Sequence, residues 1–593
     1  MDPPPSERCR ASPSSETATV TTTDTRSVPA VRMGPVTAEK LREHNSLFSS
    51  LLKEYAYFVE DDMVTGTIPP ELTGTYYRNG PGLQIDNPRY RRHTFDGDGM
   101  ILSLSFKDGR AYFRNRFVRT EGFVKEQAAG RPLFRNSFTR GSADGSLFFN
   151  PFDLSFKNVA NTGVLSWAGQ LYALWEGGLP YRMDPVTLET RGESRMGGAL
   201  RGNTFGAHYR VTAERDGSRR WVAFSAASGF GGASITFYEF AEDGRMLHET
   251  AHPLEGVSMA FVHDMLVSEH YYIIVLGPVE FDGAKFLTSY MLSQCSIAEC
   301  LVYQGDKPAR VVLVPRPGRP SGKVLAPRVL ETQPCFVFHH LNAFEAERPG
   351  APAVGGGGPA EPLVVVDTVA WDSVSFSVNQ YTYGPEYYNG GSRSHMVRLV
   401  CDPAAGTVAS HRLLRRTVEF PVADPRVVGR PHSLAWAGCD MVDHPLHWGP
   451  NQGIVRLAID ERLGLRPAAA GGGKAAADAR VLSSPEGTAE GVAADVWFAG
   501  ERCFVGEPQF VPRPGSTAEG DGWLLAAVHN AETQRGEVVI LDAQDLSAGP
   551  VATIRLPHRL PAGLHGSWDA AYTGPADGDE VPRWQELGTI RPL

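Results

Sequence analysis

The amino-acid sequence predicts an all-β protein built as a β-propeller, a ring of antiparallel sheets around a central axis. The 63 glycines and 44 prolines among 593 residues favour short strands joined by turns over long helices. A hairpin pattern with an acidic turn recurs along the chain, and four widely separated histidines each follow a short β-type or small-residue segment. These features favour a fold that returns repeatedly to one centre.

The chain begins with a segment unlike the rest. Residues 1–36 are rich in serine, threonine, proline and alanine, which predicts a disordered tail, with a targeting segment as the alternative. Acidic residues such as Glu7 and Asp24 argue against a plastid transit peptide, because such peptides are poor in acids. From Ala38 to Phe58, apolar residues recur mostly at three- and four-residue spacings. This pattern predicts an amphipathic helix packed on the domain surface, with a bilayer as the alternative partner.

From Gly74 onward, short β-type runs flank an acidic turn at five places, which predicts hairpins. The successive gaps between the aspartates that mark these turns are 76, 59, 159 and 140 residues, and the last two are near twice the first two. The spacing predicts a unit of about 70–80 residues repeated around a ring. The marker residues are Asp108, Asp184, Asp243, Asp402 and Asp542.

We expect residues 37–593 to form one propeller domain, because a closed ring of sheets can absorb this length as a single unit. The chain has two low-complexity stretches. Residues 349–362 are rich in glycine, and residues 467–478 are rich in alanine and glycine. They fall in the gaps where a turn marker is missing. Their composition predicts flexible surface loops inserted into the ring.

The bulk composition excludes several classes of protein. A net charge of −10 without a basic cluster gives no indication of nucleic-acid binding. The seven cysteines are scattered, odd in number and without a Cys-x-x-Cys pair, which argues against a disulfide framework and a cysteine-ligated metal. This usage fits a reducing compartment, so we expect an intracellular protein, cytoplasmic or plastid. The sequence contains no run of 18 apolar residues, so it predicts no membrane-spanning helix.

Four histidines stand in comparable surroundings, each after a small or apolar segment. They are separated by 55, 76 and 226 residues, so no local zinc-finger or helical motif could bring them together. In a propeller, strand ends from different sheets meet at the axis. The sequence therefore favours their convergence on a common centre. They are His208, His263, His339 and His565.

Motifs from about Leu72 to Trp568 resemble those of the carotenoid cleavage oxygenases, a family that includes carotenoid cleavage dioxygenases and a retinoid isomerase. The resemblance implies a seven-bladed β-propeller with a helical and loop cap over an axial metal site. The motifs, in the family's order, are Tyr76-Tyr-Arg-Asn-Gly-Pro-Gly82, Phe95-Asp-Gly-Asp-Gly-Met100, Val118-Arg-Thr-Glu-Gly122, Ala160-Asn-Thr162, Ala173-Leu-Trp-Glu-Gly-Gly-Leu-Pro-Tyr181, Glu419-Phe-Pro421 and Gly506-Glu-Pro-Gln-Phe-Val-Pro512.

The resemblance implies that the four histidines are the metal ligands. Of the adjacent pair His339 and His340, His339 matches because it stands three residues before Asn342. Carboxylates behind the ligands are expected, because a metal-bound imidazole usually donates its other N–H to one. The resemblance supplies three and leaves His208 without a partner. The implied pairs are Glu176 with His263, Glu419 with His339, and Glu507 with His565.

We expect the metal to be Fe(II), with no organic cofactor and no catalytic group beyond the ligands. Zinc has no redox chemistry and structural zinc sites usually include cysteine, whereas imidazoles filling part of an octahedron leave positions open for dioxygen. The resemblance implies that dioxygen cleaves one conjugated double bond of a carotenoid or apocarotenoid, giving two carbonyl products.

Other functions stay open alongside this one. A stilbene-cleaving dioxygenase of the same fold is one alternative; such enzymes typically place a lysine after the Arg-Thr-Glu motif. This chain has Gly122 there, which favours a hydrocarbon polyene. An isomerohydrolase of retinyl esters, a non-catalytic carotenoid-binding propeller and a zinc-stabilised scaffold are further alternatives.

Residues 283–303 are conspicuously apolar, with a rough helical stripe that includes Phe286, Leu287 and Tyr290. The segment is too short to span a bilayer and is predicted to rest on a membrane surface, near the mouth of the substrate tunnel by the resemblance. A cap helix packed on the propeller is the alternative.

Overall fold

The computed structural model describes residues 36–87, 90–141, 148–214, 216–229, 232–257, 261–319, 325–348, 361–376, 385–389, 392–442, 447–465, 487–576 and 578–593. Seven antiparallel sheets form the blades of a propeller, which confirms the predicted fold class. Five blades have four strands, blade 1 has six and blade 7 has five. The expected tail, residues 1–36, lies outside the described residues except for Val36.

The strands of each blade are given from the axis outward. Blade 1 contains Gly566–Asp569, Gly74–Leu83, Asp98–Lys107, Arg110–Phe117, Lys53–Phe58 and Trp584–Thr589. Blade 2 contains Gly163–Trp167, Gln170–Leu174, Tyr181–Met183 and Thr190–Glu193. Blade 3 contains Tyr209–Ala213, Arg219–Gly229, Gly232–Phe240 and Met246–Leu254. Blade 4 contains Leu266–Val267, Tyr271–Leu276, Ala309–Pro315 and Arg328–Thr332.

The remaining blades follow the same order. Blade 5 contains Phe336–Ala346, Leu363–Trp371, Ser394–Asp402 and Thr407–Arg412. Blade 6 contains Val418–Val422, Leu434–Cys439, Gly453–Ile459 and Val492–Phe498. Blade 7 contains Cys503–Pro512, Gly522–Asn530, Arg535–Asp542, Pro550–Arg555 and Val64–Gly66. Two small hairpins pair Val279–Phe281 with Leu301–Tyr303 and Asp86–Asn87 with Tyr90–Arg91.

The ring closes through strands from both ends of the chain. Gly566–Asp569, near the carboxyl end, is the innermost strand of blade 1, where it pairs with Gly74–Leu83. Val64–Gly66, near the amino end, is the outermost strand of blade 7, where it pairs with Pro550–Arg555. Apolar clusters fill the space between neighbouring blades, with Trp221 fully buried between blades 2 and 3 and Trp436 between blades 6 and 7. Closure therefore depends on both ends of the domain.

All five predicted acidic turns occupy equivalent positions, between the third and fourth strands of their blades. Asp108 adopts a positive φ of 51°, a conformation that aspartate tolerates better than most residues. The two blades without a marker are blades 4 and 6. In blade 6 the corresponding connection contains residues 467–478, which lie outside the described residues. Residues 349–362, which also lie almost entirely outside the described residues, fall between the first and second strands of blade 5 and not at a turn position.

The predicted amphipathic helix over Ala38–Phe58 is wrong in its second half. The helix spans Ala38–Asn45, a 3₁₀ turn follows, and Lys53–Phe58 is a strand that pairs with Arg110–Phe117 and Trp584–Thr589. Sheet pairing overrides the helical spacing here, and the aromatic residues Tyr55, Tyr57 and Phe58 suit a strand. The side chain of Thr37 caps the helix by accepting from the Lys40 N–H.

The other helices are short. Thr120 caps Glu121–Ala129 by accepting the Phe123 N–H, and Gly130 ends that helix with a positive φ of 65°. The apolar stretch 283–303 is not a continuous helix but a chain of short turns ending in a strand. No described helix is long and apolar enough to cross a membrane. The remaining helical segments are Gly283–Lys285, Phe286–Tyr290 (π), Pro385–Tyr388, and the 3₁₀ turns Ser46–Phe48, Asp61–Met63, Thr94–Asp96, Met196–Gly198, Ala298–Cys300, Pro425–Val427 and Leu546–Ala548.

Candidate metal centre

The four predicted histidines meet on the propeller axis. His208, His263 and His565 stand one to three residues before the innermost strands of blades 3, 4 and 1, and His339 lies within that of blade 5. One ring nitrogen from each lies within 4.8 Å of the others. The Nε2 atoms of His208 and His263 are 3.0 Å apart. The fold thus brings together imidazoles that are far apart in sequence.

A carboxylate stands behind three of the four imidazoles, in the pairs that the resemblance implied. The Nδ1 atom of His263 lies 2.6 Å from Glu176 Oε2, and that of His339 lies 2.6 Å from Glu419 Oε2. The Nδ1 atom of His565 lies 2.8 Å from Glu507 Oε1 in the same way. Glu419 and Glu507 lie on the innermost strands of blades 6 and 7, whereas Glu176 follows the second strand of blade 2.

The glutamates are themselves held by hydrogen bonds. The Trp371 indole N–H donates to Glu419 Oε1 at 2.7 Å, and the Phe420 N–H donates to its Oε2 at 2.8 Å. A register shift after Glu419 and a positive φ of 57° at Phe420 turn the chain here. This turn stacks the Phe420 ring on His339, with centroids 5.3 Å apart. A strained residue beside the centre is typical of a functional site.

His208 has no carboxylate at hydrogen-bonding distance among the described residues, as expected, but Asp264 lies close by. Its Oδ1 is 4.0 Å from His208 Nδ1. Asp264 is buried, and its Oδ2 accepts from Arg210 Nη2 and from the His340 N–H, both at 2.8 Å. The sequence analysis did not single out Asp264, although its position next to His263 could have drawn attention to it.

His340 points away from the centre, as its position in the strand predicted. Its Nδ1 lies 2.8 Å from Thr368 Oγ1 on the neighbouring strand of blade 5. Burial lowers the pKa of His340 to about 4, so the ring is neutral at physiological pH.

The electrostatics differ among the histidines of the centre. Burial, followed by the neighbouring imidazoles, lowers the pKa of His208 well below its usual value. Burial lowers the pKa of His565, although Glu507 opposes the shift. At His339 the effect of burial is outweighed by Glu419, which raises the pKa, while His339 outweighs burial at Glu419 and lowers its pKa. The Glu419 carboxylate is therefore favoured in its ionised form, facing His339 across a hydrogen bond of 2.6 Å.

The donor set fits a metal ion. His339 donates its Nδ1–H to Glu419, so its Nε2 carries a lone pair, and this buried atom has no hydrogen-bond partner among the described residues. The close approach of Nε2 atoms from His208 and His263 also presents lone pairs to one point. A cation at this point would satisfy these nitrogens, and neutral imidazole suits a borderline divalent ion.

A cavity of about 570 Å³ opens onto the histidines. His263, His339 and His565 form part of its wall, and much of the remainder is aromatic. Side chains of the amino-terminal helix and the turn after it, His44 and Phe48, also line it, a role that nothing in the sequence signalled. Aromatic lining residues include Phe138, Phe261, Phe338, Trp371, Phe420 and Trp448.

The glycine-rich motifs of the sequence serve structural roles near this cavity. The Asp96 carboxylate accepts from the Ser137 and Phe138 N–H groups, which fixes the loop that carries Phe138 into the wall. Asn79 Nδ2 donates to the carbonyls of Ala160 and Gly163 at 2.9 and 2.8 Å, tying blade 1 to blade 2. Neither motif forms a phosphate or calcium loop.

Comparison with known proteins places these features in context. The family model described as "Retinal pigment epithelial membrane protein" matches residues 48–570. The chain is 35% identical over 526 residues to an apocarotenoid-15,15'-oxygenase of Synechocystis, covering 88% of this chain and 95% of that protein. It is 29% identical to a resveratrol cleavage oxygenase of Chaetomium globosum, covering 90% of this chain and 89% of that protein. A crystal structure of the cobalt-substituted Synechocystis oxygenase superposes with a TM-score of 0.74 at 34% identity, covering 89% of this chain and 98% of that one.

Proposed function

Because the chain belongs to the retinal pigment epithelial membrane protein family, we propose that it is an Fe(II)-dependent dioxygenase acting on carotenoids or apocarotenoids. It cleaves one conjugated double bond of its substrate and releases two carbonyl products. The observation that carries the proposal is the convergence of four histidine nitrogens within 4.8 Å at the wall of a largely aromatic cavity.

The centre would hold the ion through His208, His263, His339 and His565. Three carboxylates behind these imidazoles would compensate the charge of a divalent ion and orient the rings. Bound Fe(II) supplies the activation of dioxygen, which zinc cannot supply. Relatives named apocarotenoid oxygenase and resveratrol cleavage oxygenase act on conjugated double bonds, which supports the same reaction class for this chain.

The remaining residues bind and orient the substrate. The rings of Phe338 and Phe420 flank His339, with centroids 6.2 and 5.3 Å from it, so a polyene passing the centre would lie against aromatic faces. The walls exclude water from the reacting bond. The reaction needs no protonated side chain.

The choice of polyene over stilbene rests on the cavity, not on Gly122. That residue lies in the first turn of Glu121–Ala129, where an added Cβ would contact the Lys157 side chain at 2.7 Å. Gly122 is not among the described residues that line the cavity. No lysine lines the cavity within the described part of the chain, and the basic side chain of its wall is the Arg78 guanidinium.

Product analysis tests the proposed reaction. Purified enzyme is loaded with Fe(II), incubated with β-carotene or a series of apocarotenals, and its products are separated by chromatography. We expect aldehyde products, consumption of dioxygen, and loss of both iron and activity in His339→Ala. The matched control is His270→Ala, which removes a histidine paired with Glu345 at 2.7 Å outside the cluster.

Two outcomes of this experiment would contradict the proposal. Full occupancy by zinc with no product from any carotenoid would favour a zinc-stabilised or non-catalytic carotenoid-binding propeller. Cleavage of resveratrol-type stilbenes with no cleavage of polyenes would favour the stilbene-cleaving alternative.

We further propose that the enzyme rests on a membrane through an apolar patch, defined as Phe148, Phe152, Leu154, Phe156 and Leu287. The side chains of Phe152 and Leu287 are 65% and 67% exposed. The Phe152 N–H donates to the Met291 carbonyl at 2.7 Å, which joins the two segments of the patch. Exposed large apolar side chains grouped in this way are typical of membrane or protein contacts.

The patch is connected to the cavity. The Ala298 N–H donates to the Ser137 carbonyl at 3.1 Å, and the next residue, Phe138, lines the cavity. The segment that follows Leu287 thus contacts the loop that contributes Phe138 to the cavity wall. Flotation with phosphatidylcholine vesicles tests the contact. We expect a double variant Phe152→Ser/Leu287→Ser to bind at least about tenfold more weakly, because two apolar side chains no longer enter the bilayer. Val329→Ser, 54% exposed on blade 4, is the control, and equal binding of both variants would contradict the contact.

A further inference from the structure

Arg78 is a buried cation without a carboxylate partner. It lies on the second strand of blade 1, lines the cavity and is 6% exposed. Its Nη1 donates to the Pro561 carbonyl at 3.2 Å, and no other acceptor among the described residues receives its N–H groups. Most of its five N–H donors therefore have no acceptor from the described part of the protein, and they face the cavity, where a bound molecule can reach them.

The guanidinium is held close to the metal centre. An ideal Cβ on Gly563 would lie 1.8 Å from Arg78 Nε and 1.9 Å from its Cζ, so only glycine lets the backbone cover this group. Gly563 precedes His565 by two residues. On the other side, an ideal Cβ on Gly506 would lie 3.4 Å from Arg78 Nη2. Arg78 is thus fixed between the loop that delivers one histidine and the strand that delivers Glu507.

Glu507 does not satisfy the guanidinium. Its Oε1 lies 2.8 Å from His565 Nδ1, and its Oε2 accepts the Gly566 N–H at 2.7 Å. It contributes only long-range attraction to Arg78. With a divalent ion bound, the positive charges of the ion and Arg78 balance the three glutamates of the centre. The free N–H groups therefore favour a neutral acceptor over an additional anion.

The proposed reaction creates such an acceptor, because cleavage converts a hydrocarbon double bond into two carbonyl groups beside the metal. We propose that Arg78 binds the carbonyl oxygen of one cleavage product through its free N–H groups. This inference rests on the proposed function. It makes Arg78 a product-binding and positioning residue, distinct from the metal ligands.

Binding measurements with the Fe(II)-loaded enzyme under argon test the assignment without turnover. Retinal serves as the probe aldehyde, a C20 polyene hydrocarbon as the probe without oxygen, and retinoic acid as the charged probe. Quenching of the fluorescence of Trp175, Trp371 and Trp448, which line the cavity, reports binding. We expect the enzyme to bind retinal at least about tenfold more tightly than the hydrocarbon, the effect of a hydrogen bond to a charged donor. In Arg78→Met the ratio of retinal affinity to hydrocarbon affinity should fall to within about threefold of unity. The ratio for Arg78→Lys should lie between those of the unaltered enzyme and Arg78→Met.

A second readout uses the unaltered enzyme. Donation from the guanidinium should lower the carbonyl stretching frequency of bound retinal relative to an apolar solvent, and this shift should be absent in Arg78→Met. The assignment would be overturned if Arg78→Met weakened the binding of the aldehyde and of the hydrocarbon equally. An unshifted carbonyl band of retinal in the unaltered enzyme would also overturn it. Tighter binding of retinoic acid than of retinal would replace it with an anion site. None of these results depends on cleavage, so a failure of the proposed reaction would be seen separately.

Discussion

Replacing Glu419 by glutamine tests how the carboxylates support the metal centre. Glu419 accepts three hydrogen bonds, from His339 Nδ1 at 2.6 Å, the Phe420 N–H at 2.8 Å and Trp371 Nε1 at 2.7 Å. A glutamine has one acceptor oxygen, so its amide group must face one donor with another donor. The substitution keeps the shape of the side chain but removes its charge.

We expect two effects of Glu419→Gln: weaker metal binding at pH 8, and a lower pH at which the remaining affinity is lost. Loss of a carboxylate behind a metal-bound histidine typically weakens metal affinity about 10–100-fold, and we expect this at pH 8. Glu419 also raises the pKa of His339, against the lowering effect of burial. Metal binding requires neutral His339, so affinity falls as pH drops through that pKa. The variant should therefore lose its affinity at a lower pH than the unaltered protein does.

Titration with Co(II), followed by its visible absorption, measures both effects between pH 5 and pH 8. The matched control is Glu345→Gln, which alters a carboxylate paired with His270 at 2.7 Å away from the centre. The reasoning is refuted if Glu419→Gln binds cobalt as tightly as the control at pH 8, or if its pH midpoint does not move.

Three further predictions concern the centre and the core. Trp371→Phe leaves Glu419 Oε1 without its indole donor, so cobalt affinity should fall severalfold, about 1 kcal/mol, while urea unfolding stays cooperative; unchanged affinity would show that this donor is dispensable. Removal of the metal should lower the free energy of unfolding by about 3 kcal/mol relative to protein at a hundredfold excess of ion over its Kd, and identical urea curves would argue against binding at a folded site. Burial raises the pKa of Asp440 from its usual 3.8 to about 7, so the fold favours the protonated carboxyl and loses stability as pH rises toward 7. Between pH 5 and pH 8 the unaltered protein should lose about 2–3 kcal/mol that Asp440→Asn does not lose, and parallel urea titrations of the two would contradict this.

The sequence predicted the repeat and the site better than it predicted local elements. The acidic turns marked the propeller because each stands at the same connection of its blade, and short polar turns are readable from local chemistry. The histidines were recognisable from the motifs around them and from a spacing that only a closed ring could bring together. Asp264 was missed, because its relation to His208 depends on where two blades meet.

Other failures have the same physical origin. Lys53–Phe58 is a strand because sheet partners from residues 110–117 and 584–589 lie beside it, and a local spacing pattern does not encode distant partners. The position of Gly122 beside Lys157, in the first turn of Glu121–Ala129, likewise follows only from the fold. Arg78 was not identified as a candidate site residue from the sequence, because only the fold shows that no carboxylate pairs with it.

The strand that closes blade 1 also determines when the centre can form. His565 directly precedes Gly566–Asp569 and is the last of the four histidines along the chain. A nascent chain holding the other three histidines has neither this ligand nor the strand that completes the ring. A metal ion can therefore be bound by all four histidines only after this strand has been made and has joined blade 1.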